Sequence, residues 1–195
     1  MAERWIYAQG DFDGACFLYG IVNSYVALTG TRPDFERLCA AIAGMDHPGD
    51  LLNPNIGTTG GYDGDMGKLA DNIRRALAAL GGEGHGAARF NVTRLPGPLS
   101  AADIARHLDS ASVVLLRYQG ASLHSEGMDH WVCAVAAEGE SLRVACSVRL
   151  RKALDTDEKY AEADFNGRRA NDALTPERAY ELVAGEAFVI TRAPR

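Results

Sequence analysis

The chain of 195 residues is 47 % hydrophobic and 24 % charged, long enough to bury one core without metals or disulfides as staples. Its 20 Lys and Arg stand against 26 Asp and Glu, and a net charge of −6 repels phosphate backbones and anionic lipids, which argues against nucleic-acid and membrane partners. The four cysteines, Cys16, Cys39, Cys133 and Cys146, show no CxxC and no regular spacing, so neither a metal site nor a disulfide framework is expected, no cofactor is implied, and a reducing, cytoplasmic setting fits best.

The start, MAERWIYAQGD, has no basic segment followed by an apolar one, and no signal peptide is expected. From Gly14 to Thr31 the chain carries no charge over 18 residues, but Gly20, Asn23, Ser24 and Gly30 interrupt it, which fits a buried helix better than a membrane span. Leu18, Ile21, Val22, Tyr25 and Leu28 follow a helical period within 15–28, Gly30 stands where a terminating glycine should, and Cys16 falls in the first turn. Thr31 and Asp34 flank Pro33 as a capping-box-like start to a second helix through Leu38 and Ile42, with Pro33 at its first position. A loop over 44–64 follows. Asp65 then caps an amphipathic helix bearing Leu69, Ile73, Leu77 and Leu80, stopped by Gly81 and Gly82. A short helix over 100–108 has the cap pattern Ser100 to Asp103.

Beyond residue 110 the period changes. Residues 113–118, 130–136, 142–148 and 187–191 are short, β-branched, apolar runs, with the turn signal EGES between two of them, and predict an antiparallel sheet. The polar stretch 155–178 reads as a loop or a small helix begun by Thr175 and Pro176. No repeat or linker divides the chain. The expected fold is α+β, one domain over 1–195, with a helical lobe over about 1–110 packed on a sheet lobe over about 111–195 and a cleft between them.

A helix N-terminus carries unpaired N–H groups and a partial positive charge that stabilise a thiolate in its first turn, so Cys16 is a candidate nucleophile. Such a thiolate needs a histidine from elsewhere in the fold, and His130 opens a strand 114 positions later. In three patches the sequence resembles the papain-like cysteine peptidases: Gly14-Ala15-Cys16-Phe17, the glycine-rich GTTGGY over 57–62, and His130-Trp131-Val132, the last most like the bacteriocin-processing branch. The resemblance implies a papain-like fold with a central nucleophile helix, a peptide or protein substrate, Cys16 and His130 as catalytic pair, and Gln9 as oxyanion donor one position further upstream than usual. It also implies binding roles for Gly60, Gly61 and Trp131. Secreted members carry a disulfide-forming cysteine pair at the places of Asp13 and Thr58, and both are replaced here. The asparagine or aspartate that orients the family's histidine belongs near the end of the next strand, where this chain has Cys146 and Ser147 and no Asn or Asp from Leu142 to Lys152. The third member is Ser147, a residue from another segment, or absent.

The expected reaction is attack on a peptide or amide carbonyl; deamidation, transamidation and an inactive peptide-binding relative use the same parts. Cys39 and Cys133 read as core residues. His47, His85, His107 and His124 read as solvated. The glycines over 57–67 lack the Gly-Lys-Ser/Thr ending of a phosphate loop, and Asp63, Asp65 and Asp71 lack the spacing of a calcium loop.

Overall fold

Local signals in the sequence account for most of the helices. The structure is a computed structural model and describes residues 16–48, 65–82, 89–120, 130–147, 163–165, 168–170, 172–176 and 180–193. Helix α1 (Cys16–Thr29) spans the uncharged stretch and buries residues all around its circumference, as a core helix should. It stops at Gly30, which takes the left-handed φ of 69° open to glycine and donates its N–H to Val26 O at 2.8 Å. Helix α2 (Phe35–Ala43) begins two residues later than expected. The Asp34 carboxylate accepts from Arg37 N–H at 2.9 Å and makes Asp34 the cap, so Pro33 precedes the helix instead of opening it. The inner stripe of α2 is Leu38, Ala41 and Ile42 at i, i+3 and i+4, which turns Cys39, expected in the core, out to solvent.

Helix α3 (Met66–Gly81) is capped by Asp65, which accepts from Lys68 N–H at 3.2 Å, and it buries Leu69, Ile73, Leu77 and Leu80 as its periodicity predicts. Helix α4 (Ala101–Ala105) carries the full Ser100/Asp103 capping box but is shorter than expected.

The strands are β1 (Phe90–Leu95), β2 (Ser112–Gly120), β3 (His130–Glu138), β4 (Ser141–Ala145), β5 (Ala163–Phe165), β6 (Arg168–Ala170), β7 (Asp172–Leu174) and β8 (Tyr180–Arg192). Six form an antiparallel sheet in the order β1-β8-β2-β3-β4-β7, and β5 pairs with β6. The EGES turn joins β3 to β4 through Gly139, at φ 58°. Strand β1, which falls in the segment assigned to helices, and strands β5 to β7, which fall in the stretch read as loop or helix, correct the sequence reading. Pro176 takes 3-10 helical geometry, as a small helix begun at Thr175 and Pro176 would require, and residues 177–179 lie outside the described residues.

Both sheet faces are covered, which is why β2 and β3 read as continuous apolar runs and not as alternating ones. Val113 and Leu115 of β2, Trp131 and Cys133 of β3, and Phe188 and Ile190 of β8 pack with α1, α2 and α3. Their alternates Val114, Leu116, Val132, Ala134 and Ala187 pack on the other face with Ile104 of α4. The fold is α+β, and among the described residues no helix is long and apolar enough to cross a membrane.

Candidate functional site

Helix α1 lies close against the sheet at Gly20. A Cβ built there would stand 2.6 Å from Leu115 Cδ1 and 4.0 Å from Trp131 Cβ, so the absent side chain lets the helix lie against β2 and β3. One turn earlier, Phe17 meets Trp131 edge-on with ring centroids 4.8 Å apart. The residues immediately after Cys16 and immediately after His130 are therefore in contact.

Cys16 itself, in the first turn of α1, is 8 % exposed and belongs to the helix-side core. His130 is 7 % exposed. Its ring meets Tyr118, the residue directly opposite on β2, edge-on at 5.8 Å, and its Nε2 lies 3.4 Å from Cys146 Sγ. Strand alternation explains this partner. Trp131 points to the helix side, so the His130 ring turns toward the face that holds Tyr118, Val132 and Cys146. The register pairs Cys133 with Ala145, which makes Cys146, one residue past β4, a diagonal neighbour of His130. The described geometry thus joins His130 to a sulfur, and that sulfur is Cys146; Cys16 packs with the opposite cluster.

Trp131, expected to line a substrate cleft, is 2 % exposed and sits between Phe17 and the stacked ring of Phe188 at 6.1 Å. Its described role is to hold α1 on the sheet. Gln9, Gly60 and Gly61 lie outside the described residues, as do Asp13, Thr58, His85 and His124. Cys133 is fully buried, and His47 and His107 are exposed, as their sequence contexts predict. Burial raises the hydroxyl pKa of Tyr19 on α1 and of Tyr180 on β8 above the ordinary tyrosine value, so both stay protonated near neutral pH.

A cavity of about 570 Å³ lies elsewhere, lined by the start of α4, the β3–β4 turn and the start of β8, including Ser100, Glu140 and Tyr180. Neither Cys16 nor His130 lines it. The signal that could have located Cys146 was its place one residue after an apolar strand that follows the histidine strand; its type concealed it, since a buried cysteine ordinarily reads as a small hydrophobe. No family model matches the chain, and no curated protein matches it.

Proposed function

We propose that the chain is a papain-like, cysteine-dependent hydrolase acting on a peptide or amide carbonyl, with Cys16 as nucleophile and His130 as its base. The observation that carries this reading is the contact of Phe17 with Trp131, which docks the start of the nucleophile helix against the start of the histidine strand. The first-turn position of Cys16 adds the helix-terminus field that favours its thiolate.

In this mechanism His130 takes the Cys16 proton at Nδ1, because Nε2 faces Cys146. The thiolate adds to the carbonyl carbon. The Cys16 backbone N–H and the Gln9 amide hold the developing oxyanion. The imidazolium then gives its proton to the departing amine, leaving a thioester, and water activated by His130 releases the acid and restores the thiol. An amine in place of that water gives transamidation, and a glutamine side chain as substrate gives deamidation.

The pairing of His130 with Cys146 favours a second reading, a peptide-binding domain in which Cys16 is a core thiol without chemistry. Limiting iodoacetamide at mildly acidic pH, followed by peptide mapping, separates the two. A Cys39→Ser background removes the exposed thiol from the competition. The hydrolase reading expects Cys16 to be modified first and His130→Ala to slow that modification by about tenfold or more. Cys16 reacting no faster than buried Cys133, at a rate indifferent to His130, would establish the binding domain instead.

A further inference from the structure

Cys146 stands where the sequence leaves the third catalytic position unfilled, and its sulfur lies 3.4 Å from His130 Nε2. We propose that Cys146 is the positioning residue for His130: Nε2–H donates to Cys146 Sγ, which keeps the Nδ1 lone pair for the proton of the nucleophile. The role rests on the hydrolase reading above. It follows from imidazole chemistry, since a neutral ring has one N–H and one lone pair, and the hydrogen bond made at one nitrogen decides which nitrogen holds which.

Three observations favour a positioning role over a nucleophilic one. Cys146 is fully buried, so no carbonyl could reach its sulfur while the sheet is intact, whereas Cys16 retains some exposure. The sulfur is placed by register, diagonal to His130 across the β3–β4 pair, so its location is as rigid as the sheet. Tyr118 bounds the same ring at 90° from the neighbouring strand, so the imidazole is bracketed on two sides and its orientation is defined before any substrate binds. Sulfur is a weaker acceptor than an amide or carboxylate oxygen, so this histidine is oriented with less stabilisation of its imidazolium than an asparagine or aspartate would provide.

The test uses the full chain with Cys39→Ser, comparing Cys146→Ala, which removes the partner, with Cys146→Ser, which keeps a hydrogen-bonding atom at nearly the same place. Circular dichroism establishes that each variant is folded. Two readouts are taken: the ¹⁵N shifts of the His130 ring across pH, and the pH profile of iodoacetamide labelling at Cys16. Positioning expects Cys146→Ala to move the Nε2 resonance and to slow Cys16 labelling by about tenfold while changing its pH profile, with Cys146→Ser recovering most of both. Labelling that depends on His130 but is untouched by Cys146→Ala, with unmoved ring shifts, overturns the positioning role and leaves the hydrolase reading standing. Ring shifts that respond to Cys146→Ala while Cys16 labelling ignores His130→Ala overturn the hydrolase reading and this role with it. Modification of Cys146 ahead of Cys16 would make Cys146 the nucleophile and overturn the proposal outright.

Discussion

Replacing Gly20 with alanine sets two effects of known size against each other at the seam where α1 meets the sheet. In a helix interior the exchange gains about 1 kcal/mol, because alanine loses less backbone entropy on folding than glycine does. Against this, the new Cβ stands 2.6 Å from Leu115 Cδ1. Carbon atoms pack best at about 3.5–4.0 Å, so something must move by roughly 1 Å. Leu115 is fully buried, and relief requires either an off-rotamer leucine or a shift of α1 away from β2 and β3, an overpacking cost of about 1–3 kcal/mol. The expected net result is a loss of about 0–2 kcal/mol. Leu115→Val removes the offending methyl, and in that background Gly20→Ala should recover most of the helix gain, giving a coupling of about 1 kcal/mol or more. Urea unfolding of the four proteins of this cycle measures it. A Gly20→Ala protein more stable by the full 1 kcal/mol, with no coupling to Leu115, would refute the close approach and with it the docking of the Cys16 helix described above.

Two further expectations concern the scaffold. Ser100 donates its hydroxyl and then its backbone N–H to Asp103, and these bonds hold the Asp103 carboxyl below the ordinary carboxylate range. The folded value is the lower one, so the contribution is present above about pH 4 and is lost as the pH falls through the folded value. Ser100→Ala should therefore lower stability at neutral pH by thermal or urea unfolding, with the gap to the wild type closing in acid; a gap constant down to about pH 2 would count against the cap. Arg117 Nη1 donates to both carboxylate oxygens of Glu186 at 2.8 and 3.0 Å, with the side chains 23 % and 15 % exposed. Glu186→Ala should cost about 2 kcal/mol, whereas the joint exchange of Arg117 and Glu186 for leucine should be close to neutral; equal losses in single and double variants would show that packing, not charge, matters there.

The elements that were legible in the sequence are those whose causes are local. The caps at Asp65 and Ser100, the terminating Gly30 and the apolar period of α3 each act within one or two turns, so residue spacing alone reports them. The apolar runs of β2 and β3 declared themselves because both of their faces are buried. Strand β1 did not, because its partner among the described strands is β8, about a hundred residues away, and half of its side chains face water. The short strands β5 to β7 carry too few residues to show a period at all. Pro33 and Cys39 were misplaced for one related reason: a two-residue change in where a helix begins, and the direction its stripe then faces, are decided by the cap geometry and by what packs beneath.

For the candidate site, the sequence by itself determined that a cysteine opens a core helix and that a histidine opens a strand well beyond it, since both facts depend only on neighbouring residues. Which sulfur meets the His130 ring was decided by the tertiary structure alone. Alternation turns that ring away from Trp131, the β3–β4 register carries Cys146 diagonally to it, and the β2–β3 register sets Tyr118 opposite. Register is a relation between strands, fixed by the two buried faces of the whole sheet at once, and no stretch of one strand contains it.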